Sequence, residues 1–110
     1  MGAANYKQSP SEEESDNLSK MTEFKSKNFN GVTSIYNINL LGKSDLTIDV
    51  TNLQVSSGNY RLCVVHNGEI VYEFPLNEML MTYELRDTNG NVQVVMAGES
   101  ADFYMSIQVW

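Results

Sequence analysis

The stretch Leu46-Thr47-Ile48-Asp49-Val50-Thr51 decides the fold class of this 110-residue chain. Its apolar side chains alternate strictly with polar ones. Successive side chains of a β-strand point to opposite faces, so the pattern predicts a strand with one buried face and one face in solvent. The same period of two is therefore the pattern to look for in the rest of the chain.

The alternation recurs between residues 21 and 110, in runs separated by turn-rich stretches. Asn67-Gly68 is the strongest hairpin signal, because this pair tolerates the positive φ angles of a type I′ turn. A further short strand is predicted near residues 22–27, with Phe24 and Phe29 as anchors. The other positions predicted to face the core are Val32, Tyr36, Ile38, Leu40, Leu46, Ile48, Val50, Tyr60, Leu62, Val64, Ile70, Tyr72, Phe74, Met81, Tyr83, Leu85, Val92, Val94, Met96, Phe103, Met105, Ile107 and Val109.

The chain divides into two unequal parts. Residues 1–20 are mostly polar, and the run Ser9-Pro10-Ser11-Glu12-Glu13-Glu14-Ser15-Asp16 has nothing to bury. Burial cannot offset the entropy of ordering such a segment, so a disordered, flexible polar tether is predicted there. Residues 21–110 are predicted to form one all-β domain. Seven or eight short strands with frequent turns favour an antiparallel β-sandwich, and a closed small barrel is the alternative.

Composition excludes several classes of function. The chain has 7 basic and 14 acidic side chains and a net charge of −7, which argues against a nucleic-acid-binding surface and against a polybasic membrane footprint. One cysteine cannot close an intramolecular disulfide. With a single histidine beside it, a zinc site of nitrogen and sulfur ligands is not expected.

Three patterns that suggest chemistry have simpler interpretations. Cys63 and His66 would project to opposite faces of a strand, which separates a nucleophile from its base, and Cys63 is interpreted as a small buried hydrophobic residue. Residues 87–91 do not match a calcium loop, because Gly90 is fourth rather than sixth. No catalytic, cofactor-binding or metal-ligating residue is predicted. Two pairs of carboxylates with same-face spacing are interpreted as solubilising residues: Asp45 with Asp49, and Glu69 with Glu73.

The last strand offers a candidate ligand or partner face. Tyr104, Ser106, Gln108 and Trp110 share one parity, opposite the apolar positions of the same strand. Two aromatic rings with small polar residues between them are suited to stacking on sugars or to contacting a protein. The alternative is that these rings merely cover the outer sheet or pack against the N-terminal segment, as exposed aromatics often do.

A group of strand and turn motifs carries a family resemblance over about four fifths of the chain. The motifs are Phe29-Asn30-Gly31, Tyr36-x-Ile38-x-Leu40, Leu46-x-Ile48-x-Val50, Ser57-Gly58-x-Tyr60-Arg61-Leu62, Gly68-x-x-Val71-Tyr72-Glu73 and Ala101-x-Phe103-x-Met105-x-Ile107. With them the chain resembles the small β-sandwich domains of uncharacterised lipoproteins of Gram-positive bacteria. The resemblance implies a cleaved signal peptide and a lipidated cysteine, and it supplies no catalytic residues.

These observations lead to two functional hypotheses. The first is a non-enzymatic, extracytoplasmic binding or structural module that recognises an unknown protein or glycan, needs no cofactor, and reaches the membrane only through a removed N-terminal anchor. The alternative is an intracellular β protein that acts by self-association or as a subunit of a larger assembly. Met1 is compatible both with a natural start and with a start placed after a removed lipid-bearing cysteine.

Overall fold

A computed structural model describes residues 21–110, which form one antiparallel sheet. Its strands are β1 (Thr22–His66), β2 (Glu69–Glu73) and β3 (Glu78–Val109), in the order β2-β1-β3. The all-β, antiparallel prediction is confirmed, whereas the predicted count of seven or eight short strands is wrong. The tether predicted at residues 1–20 lies outside the described residues. Within residues 21–110, no helix is long and apolar enough to cross a membrane.

The strand count differs because most of the predicted turns lie inside continuous strands. Gly42 and Gly58 in β1 and Gly90 in β3 have positive φ angles of 65°, 79° and 100°. These left-handed residues bend the chain, while the ladder between β1 and β3 resumes beyond each bend after a shift of register. The main paired stretches of β1 and β3 are 22–26 with 103–107, 32–40 with 90–97, 46–51 with 80–85, and 60–66 with 92–98.

The core lies where different stretches of the long strands face one another. The rings of Phe24 and Tyr36 are 6.3 Å apart and those of Phe29 and Tyr60 are 6.4 Å apart, although all four residues belong to β1. Most of the positions predicted from the alternation are buried, and Phe24 and Phe29 are fully so. Leu40, Tyr72 and Tyr83 are partly buried against the core.

Two predicted core residues are exposed instead. Val32 is 73% exposed and Ile70 is 60% exposed. A register shift between Ser34 and Tyr36 places both Ile35 and Tyr36 in the core, so Val32 falls on the opposite parity. A second shift, between Val64 and Val65, interrupts the pairing of β1 with β2. A slip of one residue turns a side chain to the other face, which the sequence period alone does not reveal.

The last stretch of β3 is flanked on both sides. Residues 103–107 pair with 22–26 of β1, and residues 106–109 pair with 48–51 of β1. Residues 103–107 are therefore internal to the sheet, and the outward side chains of Tyr104 and Ser106 have neighbours on two sides.

Candidate functional site

Four outward side chains lie on one side of the last stretch of β3 and of the residue that follows it, and they are called here the closing-strand face: Tyr104, Ser106, Gln108 and Trp110. Trp110 is 58% exposed, and the other three are half-buried. The intervening residues are buried, as the alternation predicts: Phe103, Met105, Ile107 and Val109. The structure thus brings the four sequence-predicted residues to one face, while their role in binding stays a prediction.

Tyr104 forms one end of this face. Its neighbours across the sheet are Lys25 on one side and Gln54 on the other. The Tyr104 hydroxyl donates a hydrogen bond of 2.9 Å to Oε2 of Glu23 and lies 3.3 Å from Oγ of Ser106. These contacts hold the phenol by its polar tip, so the orientation of the ring is set before any ligand arrives.

Trp110 forms the other end. Its backbone exchanges two hydrogen bonds with Thr47, of 2.7 and 2.8 Å, which extend the ladder to the last residue. Its indole Nε1 donates to Oδ2 of Asp49 at 2.8 Å, and the other oxygen of Asp49 accepts from Oγ1 of Thr82 at 2.6 Å. The indole is therefore anchored by its nitrogen, while more than half of the residue remains open to solvent.

The interval between the two rings is polar. Ser106 lies between Glu23 and Thr51, and Gln108 lies beside Asp49. The six residue steps from Tyr104 to Trp110 span about 20 Å of antiparallel strand. The closing-strand face is therefore a long strip with an aromatic ring near each end and hydrogen-bonding groups between them. Such a strip suits an extended ligand better than a single small molecule.

Sequence reasoning missed the residues that hold the two rings. Glu23 accepts a hydrogen bond from Tyr104, 81 positions away in the sequence, and Asp49 accepts one from Trp110, 61 positions away. The alternation indicated that Asp49 points outward, but it carried no information on which strand lies beside it. Finding these two residues requires knowing which strands are neighbours in the sheet and in which register they pair.

The suspected catalytic pair is not assembled. The Cys63 residue is buried, with 7% exposure, and burial raises the pKa of its thiol. The His66 ring lies at the exposed end of the hairpin, where Nε2 is 2.7 Å from the backbone oxygen of Asn89. Neither group is positioned to activate the other, so the interpretation of Cys63 as a core residue is confirmed.

Three of the four paired carboxylates, those of Asp45, Asp49 and Glu73, accept hydrogen bonds from other groups. Arg61 donates to both oxygens of Glu73, at 3.1 and 2.7 Å, and these hydrogen bonds lower the pKa of Glu73. Asp45 accepts from the backbone nitrogen of Asp87 at 2.9 Å and lies 3.6 Å from Arg86. No group of three or more His, Cys, Asp or Glu side chains within residues 21–110 is placed to hold a metal ion.

The environment of Cys63 predicts slow thiol chemistry. Because burial disfavours the charged thiolate, we expect a thiol reagent to label native Cys63 slowly near neutral pH and rapidly once the chain is unfolded. In a Cys63→Ala background, Ser57→Cys supplies a matched control, since Ser57 is exposed. Absorbance-monitored labelling measures both rates. Equal native rates for Cys63 and the control cysteine would contradict the prediction.

Comparison with known proteins yields similarities of fold. No protein-family model matches the chain, and no curated protein matches it. Among solved structures, the secreted serine protease VesC from Vibrio cholerae is similar, with a TM-score of 0.58 and 16% identity. The match covers 92% of this chain but only 26% of that protein, and at this identity it shows a shared fold and nothing about activity.

Two weaker similarities have TM-scores too low to support a conclusion about this chain. A protein of Bacillus endospore appendages, a family of disulfide-linked pili, has a TM-score of 0.49 and 13% identity, with 83% of this chain and 82% of that chain covered. The C-terminal domain of EclA, a sugar-binding protein, has a TM-score of 0.46 and 9% identity, with 84% and 78% covered.

Proposed function

We propose that this chain is a non-enzymatic binding module that recognises a glycan on its closing-strand face. One observation carries the proposal: Trp110, 58% exposed and anchored through its indole nitrogen, stands at one end of a polar strip that has Tyr104 at the other. Sugars have an apolar face that stacks on an aromatic ring and hydroxyls that take hydrogen bonds at the edge. Rings with polar groups between them match both requirements.

The hydrogen bonds of Asp49 support a binding role for this face rather than a catalytic one. Both of its carboxylate oxygens already accept hydrogen bonds, one from Trp110 and one from Thr82. A carboxylate held in this way acts as a support for the ring. Glycoside hydrolysis requires two carboxyl groups flanking the scissile bond, free to transfer a proton or attack the sugar.

We infer that the single folded sheet is arranged as a two-layer β-sandwich. Residues 48–51 of β1 pair with two stretches of β3, 80–83 and 106–109. Residues 92–97 of β3 pair with two other stretches of β1, 32–38 and 61–66. Two separate sets of paired stretches with a common apolar core between them are typical of sheets packed face to face. In this arrangement the closing-strand face is the outer surface of one layer.

The proposed location is extracytoplasmic, with the domain held near a membrane by an N-terminal lipid anchor. It is supported by the resemblance to Gram-positive lipoproteins and by the polar composition of residues 1–20. Fractionation of cells that express the complete gene, combined with surface proteolysis, tests the location. Recovery of the intact protein only from the cytoplasm would contradict it and would favour the intracellular alternative.

The binding proposal is tested by removing one ring at a time. We expect Trp110→Ala and Tyr104→Ala each to weaken glycan binding by about tenfold or more, because aromatic anchors dominate the energy of most binding surfaces. Binding is measured on a glycan array and then by calorimetry on the strongest hits. Ile70→Ala is the matched control, since Ile70 is 60% exposed on β2 and lies off the closing-strand face.

Folding is followed in parallel by thermal melts of these three variants and of Ile107→Ala, which truncates a fully buried residue. Unchanged glycan affinity in folded Trp110→Ala and Tyr104→Ala would exclude the closing-strand face as the binding site. A melting temperature of Trp110→Ala as low as that of Ile107→Ala would also contradict the proposal, because it would mean that this face is buried in the native protein.

A further inference from the structure

An open groove lies beside the Tyr104 end of the closing-strand face. Its volume is about 670 Å³, and Lys25, Lys27, Gln54 and Tyr104 are among the residues that line it. Ligand sites in proteins usually measure a few hundred to a thousand cubic ångströms, so this groove is large enough for a sugar unit. Lys25 and Gln54 flank Tyr104 directly across the sheet, which makes the groove continuous with that face.

The groove contains lysines that are not neutralised by the described part of the chain. Lys25 and Lys27 are exposed, and neither forms an ion pair with any of residues 21–110. The other three cations of residues 21–110 each pair with a carboxylate: Lys43 with Asp87, Arg61 with Glu73, and Arg86 with Glu84. The lysines of this part of the protein that form no ion pair are therefore both found in one groove.

The groove also contains one carboxylate against its two lysines, so its lining is net positive. Asp102 also lines the groove, and its Oδ1 accepts a hydrogen bond of 2.8 Å from the backbone nitrogen of Asn28. Lys25 and Lys27 lie two residues apart on the same side of β1, which places their Cα atoms about 7 Å from each other. Two ammonium groups at this separation can contact one anionic group together or two such groups in succession.

We propose that the groove binds an acidic polysaccharide, with Lys25 and Lys27 contacting the sugar carboxylates while the chain of sugars continues over Tyr104. This inference rests on the proposed glycan-binding function and specifies its ligand class. A neutral sugar leaves the net positive charge of the groove uncompensated, whereas a uronic acid supplies a counter-charge. Lysine acts as a compact point charge with three donors, so it accommodates carboxylates in several orientations along a polymer.

The experiment compares acidic polysaccharides with their neutral counterparts on the full chain. Polygalacturonate is paired with its methyl ester, and glucuronoxylan with unsubstituted xylan, on the same glycan array used for Trp110→Ala. We expect the wild type to prefer the acidic member and to lose that preference as salt screens the charges. We expect the double variant Lys25→Gln/Lys27→Gln to bind the acidic polymer about 2- to 30-fold more weakly, from two exposed charge contacts.

Lys43→Gln is the control for location, because it removes an exposed lysine outside the groove, at the 4.0 Å pair with Asp87. It should leave the affinity for the acidic polymer unchanged. Equal binding of the acidic and neutral members, or equal losses in the double variant and the control, would overturn the inference and leave glycan recognition intact. Absence of binding to every glycan on the array would instead overturn the proposed function.

Discussion

Leu62→Ala is expected to lower the free energy of unfolding by about 2–5 kcal/mol, one of the two largest effects that we predict for this domain. Leu62 is fully buried on β1. Its backbone oxygen accepts a hydrogen bond of 2.9 Å from the backbone nitrogen of Phe74. Truncation removes apolar atoms from the core and leaves a cavity that the surrounding strands cannot fill without breaking their ladders. The loss of stability therefore has two parts: the hydrophobic free energy of the removed atoms and the cost of the cavity that they leave.

Leu41→Ala is the matched control for this substitution. Leu41 lies on the same strand, but its residue is 84% exposed. The same atoms are removed from water rather than from the core, so the free energy of unfolding should change by less than about 0.5 kcal/mol. Urea unfolding followed by circular dichroism measures both variants. Similar midpoints for the two would mean that the 60–66 stretch is not packed in the core.

Gly58→Ala is expected to destabilise the domain by about 2–5 kcal/mol, because two costs add. Gly58 has a φ angle of 79°, a left-handed conformation that residues with a Cβ atom adopt at a cost. A Cβ atom at this position would also overlap the backbone carbonyl of Ser100 and the Cα of Ala101. Backbone atoms of a neighbouring strand cannot swing aside as a flexible side chain does, so the bend of β1 against β3 must open.

Gly68→Ala separates the two costs. Gly68 has a φ angle of 85°, close to that of Gly58, but a Cβ atom there would meet nothing within 4 Å. Only the conformational cost of about 1–2 kcal/mol remains. Thermal melts of the two variants measure the difference. If Gly68→Ala were as destabilising as Gly58→Ala, the close approach to β3 would not be what requires glycine at position 58.

The candidate site was predictable in part from residues on a single strand. The alternation placed Tyr104 and Trp110 opposite Ile107 and its buried neighbours, and the structure has the same arrangement. The face to which a side chain points is a local property of a strand, because successive side chains point to opposite faces of the sheet. It holds wherever the ladder is regular, as it is between residues 103–107 and 22–26.

The same rule failed where the ladder is irregular. Val32 was predicted to face the core and is 73% exposed, because the register shifts between Ser34 and Tyr36. An irregularity of this kind depends on how two strands match in length and curvature, and both strands must be known to locate it. The count of strands was wrong for a related reason, since residues such as Gly42 and Gly58 bend β1 without ending it.

The amino-acid sequence by itself determined the fold class, the buried face of each regular stretch and the polarity of the closing-strand face. These follow from a period of two residues and from side-chain chemistry. The tertiary structure decided which distant residues meet: Asp49 with the indole of Trp110, and Lys25 and Gln54 on either side of Tyr104. These contacts depend on strand order and register, which are set by the packing of the whole core rather than by any local pattern.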